Sequence, residues 1–314
     1  MFRDGTYIAK EKVQFTFNSG GLGDQIAAMS AIKWIKDTYK FVDIHLFVPD
    51  FFFELAHNLV PGITVRRYSE IMLYWDDKVA AKQLKNVHTQ MKTHVVDHAF
   101  HVLADREARV EEKNYCRLTP VDISKFNLPE KYVCIPVGYT AQVREMIPEA
   151  VNGISDWLLS KGITPVFLGS KVAPTGIKTL LLGNFNEEID YTKGIDLIDK
   201  TTLPEVGTIM GNAKAVVGLD CGLLHLAGTT DVPIVFATTT VESHLRVPYR
   251  DNVLGKDCYV VEPPKSLKCR FCQSNWDFMY AKPTHDFKYC YYRDYKCTRE
   301  LTADRYIKFL ELIC

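Results

Sequence analysis

Short apolar runs alternate with longer amphipathic stretches along the 314-residue chain. In the first half, Val13–Phe17 and Ile44–Val48 have the length and composition of buried strands, and apolar residues from Ile26 to Ile35 recur between them near the helical period. The second half repeats the pattern, with predicted strands at Tyr132–Pro136, Thr164–Leu168, Ala215–Val217 and Pro233–Phe236 and predicted helices at Pro148–Lys161 and Leu203–Met210. This alternation predicts an α/β protein with two parallel sheets and crossover helices.

Two further stretches of the first half bear on the location of a site. Lys78–Met91 is polar with helical spacing, whereas His94–Val96 has the pattern of a strand that ends at Asp97 and His98. Parallel strands open onto a ligand crevice at their carboxyl ends, so this interpretation places Asp97 and His98 at a cleft. A surface turn with unrelated side chains is the alternative.

The composition is that of a soluble globular enzyme, with 47% hydrophobic and 24% charged residues. Lys and Arg together equal Asp and Glu at 38 each, so no overall charge attracts the protein to nucleic acid or to an anionic membrane. The N-terminus lacks an apolar signal-peptide region, and the chain has no apolar run of membrane-spanning length. A cytoplasmic protein without a transmembrane segment is expected.

A glycine-rich turn, Asn18–Gly23, separates the first predicted strand from the first helix. Gly21 and Gly23 allow the backbone to approach a ligand closely, and Asp24 stands where a helix N-terminus favours an ionised carboxylate able to accept a proton. A simple helix cap is the alternative for Asp24. Ile26 replaces the third glycine of a dinucleotide fingerprint and no Gly-Lys-Ser/Thr follows, which disfavours an NAD enzyme and excludes a Walker phosphate loop.

A second strand–turn–helix segment runs from Val216 to His225. Unpaired amides and the positive end of a helix form an anion site suited to a diphosphate. Asp220 is expected to shape the turn, and an ordinary αβ unit with a buried histidine is the alternative. The expected contacts to the anion come from Gly222, Leu223, Leu224 and His225.

Four of the nine cysteines lie close together in sequence, at Cys269, Cys272, Cys290 and Cys297. A CxxC pair followed by two more cysteines is compatible with a structural four-thiolate zinc site, in which His285 can replace one thiol. The surrounding segment is poor in aliphatic residues and therefore needs a cross-link to hold it. Free thiols and disulfides are the alternatives.

Together, the two glycine-bearing segments resemble glycosyltransferase family 9, the heptosyltransferase-like enzymes of GT-B fold. The N-terminal match is the sequence GLGD at Gly21–Asp24, followed by the apolar helix. The C-terminal match spans Leu197–Gly228, where Asp220 and His225 keep the family pattern and Cys221 replaces its threonine.

The resemblance implies two Rossmann-like domains with parallel sheets and a cleft between them. We expect an acceptor domain at residues 1–127 and a nucleotide-sugar domain at 128–300, which includes a cysteine-rich insert near 265–300. A terminal helix at 301–314 is expected to pack back toward the first domain, as is common in this fold.

The family also implies roles for individual residues. Its enzymes are inverting, use a nucleotide-diphosphate sugar and need no redox cofactor. Asp24 would take the proton from the acceptor hydroxyl, with Asp97 as the next candidate and His98 nearby on the acceptor side. Arg144, in place of the family's usual lysine, and Lys171 would contact the donor phosphates.

The acceptor is not specified by the sequence. A glycan or lipopolysaccharide-type glycolipid is the default, with a hexosyl, pentosyl or heptosyl group transferred in the cytoplasm or at the membrane periphery. Hydroxymethylated bases of bacteriophage DNA are an alternative, because the region Lys82–Arg109 is rich in Lys, Arg and His; the enzyme would then act in the host cytoplasm. A non-catalytic module that binds sugar nucleotides is an alternative of another class.

Overall fold

The computed structural model has two parallel β-sheets in the part of the chain that it describes, one from each half. The described residues are 2–3, 6–7, 12–17, 21–76, 80–84, 92–138, 141–171, 186–274, 290 and 292–314. Two short antiparallel pairs accompany the sheets, β1 (Phe2–Arg3) with β2 (Thr6–Tyr7) and β12 (Tyr249–Arg250) with β13 (Val253–Leu254). The expected α/β architecture is therefore confirmed.

The first sheet has the strand order β5-β4-β3-β6, and all its pairs are parallel. Its strands are β3 (Lys12–Thr16), β4 (Asp43–Val48), β5 (Thr64–Arg67) and β6 (Ala80–Gln83). The helices of this half are α1 (Leu22–Thr38), α2 (Phe53–Leu59), α3 (Ile71–Tyr74) and α4 (Val95–Ala104). Because β3 is followed at once by α1, the start of α1 lies at the carboxyl edge of this sheet.

The second sheet has the order β14-β11-β10-β7-β8-β9, again with parallel pairs. Its strands are β7 (Tyr132–Pro136), β8 (Thr164–Leu168), β9 (Ile195–Asp196), β10 (Ala215–Leu219), β11 (Ile234–Ala237) and β14 (Cys258–Val261). The strand order reverses between β7 and β10, and ligands of open α/β sheets bind at such a point.

The helices of the second half are α5 (Pro148–Ser160), α6 (Leu203–Gly211), α7 (Gly222–Ala227), α8 (Lys296–Arg299) and α9 (Ala303–Ile313). Both faces of the second sheet are buried, as the alternation along β7 shows. Cys134 belongs to a core that includes the first sheet, α1 and α4, whereas Val133 and Ile135 belong to a second core that includes α5 and α9. The first core thus joins the two halves of the chain.

Two predicted elements of the first half are wrong. His94 caps α4, so Asp97 and His98 lie in a helix rather than at the end of a strand. Val95 and Val96 look like a strand in sequence because both are β-branched, but their side chains are buried within the helical pattern of α4. Ala80–Gln83, expected to be helical, is the strand β6, and the rest of Lys78–Met91 lies outside the described residues.

The terminal helix packs against the second sheet, which corrects the expectation that it returns to the first domain. Tyr306 and Leu310 are fully buried beside Ile154 in the second core. A Cβ added at Gly153 of α5 would lie 2.8 Å from the Cβ of Ala303, so the missing side chain lets α9 approach α5 closely. Tyr306 and Leu310 of α9 are therefore buried against the second sheet and α5.

No helix in the described ranges has both the length and the apolar character that a membrane crossing requires.

Candidate functional site

The first turns of α1 and α7 meet where the carboxyl edges of the two sheets face each other. A Cβ added at Gly23 would lie 2.5 Å from the His225 ring, and one added at Gly222 would lie 2.6 Å from Leu22. Gly21 has a φ of −74°, which any residue adopts. Gly23 and Gly222 thus allow the two helix starts to pack closely against each other.

Asp24 is partly exposed at this junction. Its Oδ2 accepts a hydrogen bond of 2.9 Å from the backbone N–H of Gly21, so the capping role proposed as the simpler alternative is present. The charge of Asp24 also acts on the buried Arg246 and on the phenol of Tyr115. The carboxylate therefore lies near these two side chains.

Asp220 follows β10 and is buried among cationic and polar groups. His225 Nε2 lies 3.4 Å from its Oδ1, and its Oδ2 lies 3.9 Å from Arg144 and 4.0 Å from Nε of Arg246. Burial alone raises the pKa of this carboxyl, but Arg144, the hydrogen bond from His225 and Arg246 together hold the pKa well below its usual value. Asp220 is an anion that organises its neighbours.

Arg246 is a site residue that sequence reasoning missed. Its side chain is only 6% exposed, and burial lowers its pKa while the charge of Asp220 opposes that shift. A guanidinium remains protonated in proteins, so this is a buried positive charge. It follows the strand β11 by nine residues, so a search of the loops after each strand could have found it.

Tyr115 is the second residue that was missed. Its hydroxyl lies 2.7 Å from Nδ1 of His225, and the two rings are nearly parallel with centroids 6.0 Å apart. Burial raises the pKa of this phenol well above its usual value, so it is neutral. A hydrogen bond to one ring nitrogen fixes the imidazole tautomer, which gives the chain Tyr115–His225–Asp220. Nothing in the sequence around Tyr115 marks it.

Arg144 lies in a 3-10 turn, Gln142–Arg144, that follows β7. It lines a pocket at the divergence of β7 and β10 together with Gly138, Asn186 and Cys221. Burial raises the pKa of the Cys221 thiol to about 11, so the thiol is neutral near pH 7. Among the described residues, the charged side chains that line this pocket are Arg144 and Glu145.

The expected amides of α7 are largely engaged within the protein. The N–H of Leu224 donates to the carbonyl of Cys221 at 3.1 Å, and the backbone of Leu223 and Leu224 also interacts with the Cys221 thiol. Cations, rather than helix amides, therefore provide most of the positive charge here.

The other predicted site residues have partners outside the cluster around Asp220. Asp97 forms an ion pair of 2.8 Å with Lys113, and His98 is buried in α4. Lys171 follows β8, where its backbone N–H donates to Asp199 at 3.1 Å, and it does not line the pocket of Arg144. Of the two proposed bases, Asp24 is the one whose charge reaches Arg246.

The four cysteines of the insert are neighbours with free thiols. Burial first, and then the charges of Cys272, Cys290 and Cys269, raise the pKa of Cys297 to about 12. Within the described residues, however, no group of three or more His, Cys, Asp or Glu side chains is arranged to hold a metal ion. His285 lies outside those residues.

A family model described as glycosyltransferase family 9 (heptosyltransferase) matches residues 153–256. The matched segment contains Asp220, His225 and Arg246, and it confirms the resemblance found in the sequence. No curated protein matches this chain in sequence.

Solved structures of glycosyltransferases share the fold over nearly the whole chain. TibC from enterotoxigenic E. coli H10407, described as an iron-containing dodecameric glycosyltransferase, has a TM-score of 0.71 at 18% identity, covering 99% of this chain and 76% of its own. TibC in complex with ADP-D-beta-D-heptose has a TM-score of 0.69 at 18% identity, with 96% and 75% covered. E. coli ADP-heptose lps heptosyltransferase II has a TM-score of 0.65 at 12% identity, with 96% and 98% covered. The expected GT-B fold is therefore confirmed.

Proposed function

We propose that this chain is an inverting glycosyltransferase that moves a sugar from a nucleotide sugar to a hydroxyl acceptor. The observation that carries the proposal is the position of Arg144, whose side chain lines the pocket at the switch point where ligands of such sheets bind. Asp220 lies 3.9 Å from Arg144 and 4.0 Å from Arg246, so it holds both guanidinium groups at this place. Asp24 lies in the first turn of α1, which follows the strand β3 of the first sheet.

The proposed reaction is a single displacement at the anomeric carbon. The acceptor oxygen bonds to that carbon while Asp24 accepts its proton, and the bond between the carbon and the diphosphate oxygen breaks. The leaving nucleoside diphosphate gains negative charge, which Arg144 stabilises. Asp220 holds the arginines in place, and Tyr115 fixes the orientation of His225 beside them.

We call the cluster of Arg144, Asp220, His225 and Arg246 the donor side, and the start of α1 with Asp24 the acceptor side. An adenosine diphosphate sugar, and among these a heptose, is the first donor to test, because TibC is described in complex with ADP-D-beta-D-heptose. Other nucleotides and hexosyl or pentosyl groups form the rest of the screen.

The donor side is tested by thermal unfolding with ADP, UDP, GDP, CDP and dTDP. At a ligand concentration of roughly 100 times Kd, binding should stabilise the fold by ~2.7 kcal/mol. Arg144→Ala should reduce the shift by weakening diphosphate binding, whereas Lys171→Ala, which lies outside the pocket, should keep it. If no diphosphate stabilises the parent protein, the donor site is wrong; binding without transfer to any acceptor would favour the non-catalytic module.

For the acceptor we propose a glycan or glycolipid hydroxyl. In the basic region considered for DNA, Lys82 bonds Asp105, and Arg106 bonds Glu112 at 2.6 Å. These two positive charges are therefore less available to neutralise phosphates. Transfer assays on glycans and on hydroxymethylated DNA distinguish the two, and labelling of the DNA alone would overturn this choice.

We also propose that the four insert cysteines hold one structural metal, with zinc as the first candidate. Their mutual proximity and free thiols support this, and TibC is described as iron-containing, so iron is the competing metal. Elemental analysis for zinc and iron, on protein purified without added metal, should give about one ion per chain. The double variant Cys269→Ser, Cys272→Ser should lose it; a metal-free parent protein with four alkylatable thiols would contradict the proposal.

A further inference from the structure

The turn Cys269–Cys272 is hydrogen-bonded to the segment that directly follows β11. The N–H of Phe271 donates to the carbonyl of Thr239 at 3.0 Å, and the N–H of Gln273 donates to the carbonyl of Thr240 at 2.8 Å. The hydroxyl of Thr240 adds a bond of 3.0 Å to the side chain of Gln273. The cysteine-bearing turn is thus fixed to the carboxyl edge of the sheet, on the same side as the donor site.

The side chain of Thr239 bonds a second turn, the one that contains Arg144. Its hydroxyl donates a hydrogen bond of 2.5 Å to the carbonyl of Val143, the residue directly before Arg144. Thr239 and Val143 are each only 2% exposed, so water does not compete for this bond. A single residue therefore bonds the cysteine-bearing turn through its carbonyl and the arginine-bearing turn through its hydroxyl.

A second contact joins the same two regions at the surface. The hydroxyl of Tyr295, which precedes α8, donates to the side chain of Gln142 at 2.6 Å. Gln142–Arg144 is a 3-10 turn of three residues, with few hydrogen bonds of its own to hold it. The bonds from Tyr295 to Gln142 and from Thr239 to Val143 therefore fix the position of the backbone that carries Arg144.

We infer that Thr239 is a positioning residue for Arg144, and that it couples the cysteine-rich insert to the donor site. The inference rests on the donor site proposed above. Loss of the Thr239 hydroxyl leaves a buried carbonyl without its partner and frees the turn to shift. The guanidinium of Arg144 then leaves its place 3.9 Å from Asp220, which weakens its contact with a diphosphate.

The test compares Thr239→Val with Thr240→Val, a matched control in which the lost hydroxyl bonds Gln273 instead of Val143. Titration calorimetry with ADP should show about five- to tenfold weaker binding for Thr239→Val, and binding within about twofold of the parent protein for the control. Thr239→Ser, which keeps the hydroxyl, should restore the affinity. In an Arg144→Ala background, Thr239→Val should change the ADP affinity by less than about twofold, because Thr239 acts on binding through the guanidinium of Arg144.

Hydrogen exchange provides a readout that needs no ligand. Backbone amides of residues 142–146 should exchange faster in Thr239→Val than in Thr240→Val at equal global stability. Unchanged exchange there, or an affinity loss that persists in the Arg144→Ala background, would overturn the inference. If Arg144→Ala binds ADP as the parent does, the proposed donor site fails, and the exchange result alone then decides on the coupling.

Discussion

On the donor side, Asp220 is buried among Arg144, Arg246 and His225, whereas on the acceptor side Asp24 is a partly exposed carboxylate bonded to a backbone N–H. The charges of the donor side thus depend on one another. Asp24 depends mainly on the first turn of α1. We expect substitutions on the donor side to change stability, and substitutions on the acceptor side to change rate.

This contrast also explains why the donor class is easier to infer than the acceptor. A diphosphate needs fixed positive charge, which leaves a recognisable cluster of paired side chains. An acceptor hydroxyl needs only a proton acceptor and open space, and these features are compatible with many molecules. The acceptor side therefore identifies a reaction step but no substrate.

The largest expected effect belongs to Asp24→Asn. Loss of the proton acceptor should slow transfer by ~10²–10⁴, while the affinity for the nucleoside diphosphate and the stability stay near those of the parent. Steady-state transfer rates and diphosphate titration measure the two effects separately. Asp37→Asn, at the exposed end of the same helix, is the control and should be neutral. If Asp24→Asn transfers sugar at the rate of the parent protein, Asp24 only caps the helix, and Asp97 becomes the next candidate for the proton acceptor.

Asp220→Asn should show the reverse behaviour, with a large loss of stability. It leaves the buried guanidinium of Arg246 without its carboxylate, which typically costs about 3–5 kcal/mol. Urea unfolding should show the loss, whereas Asp231→Asn, which removes an exposed partner of Arg117, should cost less than about 1 kcal/mol. Equal losses for the two variants would mean that the donor side is not interdependent.

His94 caps α4 in the first half of the chain and bonds the carbonyl of Val247 in the second half. It should make the protein sensitive to acid. Burial is the main cause that lowers its pKa from 6.5 to about 3, so His94 is neutral in the folded state and gains a proton on unfolding at low pH. Stability is therefore full above pH 6.5 and falls as the pH drops toward 3, by about 2 kcal/mol at pH 5. Urea unfolding from pH 7 to pH 5 should show a smaller fall for His94→Gln, which does not titrate. The exposed His244→Gln should behave as the parent, and equal slopes for all three proteins would contradict this assignment.

The smallest effect is expected for Tyr115→Phe. It removes the bond to Nδ1 of His225, worth about 1 kcal/mol of stability, and releases the tautomer of the imidazole. Tyr132→Phe removes another buried tyrosine bond, to the carbonyl of Ile209, and should cost about the same. Only Tyr115→Phe should change the pH profile of transfer; identical profiles would mean that Tyr115 supports the fold alone.

The regular parts of the fold followed from the sequence because their apolar runs are long and both sheet faces are buried. Tyr132–Pro136 and Thr164–Leu168 are strands with the predicted bounds. The errors occurred where a segment is too short to distinguish the strand period from the helix period. The valines before Asp97 suit a strand as well as a helix, and β6 is only four residues long. In such cases tertiary packing, and not the local sequence pattern, decides whether the segment forms a strand or a helix.

The candidate site was predicted in part for a similar reason. Asp24, Asp220 and His225 lie in or directly beside glycine-bearing turns, which the sequence makes visible. Arg246 and Tyr115 are distant in sequence from those turns, and the packing of the two halves brings them to Asp220 and His225. Arg246 could be found only as one of many loop residues after strands, and Tyr115 leaves no signal in the sequence.

The contact between α1 and α7 also limits how the cleft can move. With Gly23 against His225 and Gly222 against Leu22, the two helix starts have no clearance to slide past each other, so we expect the cleft to open by rotation about this point. A pivot so near Asp24 changes the width of the distant rim much more than the separation of the reacting groups. Large acceptors can then enter and leave while the distance between the proton acceptor and the donor cluster stays nearly constant. A single methyl group at either glycine would act as a wedge at the pivot.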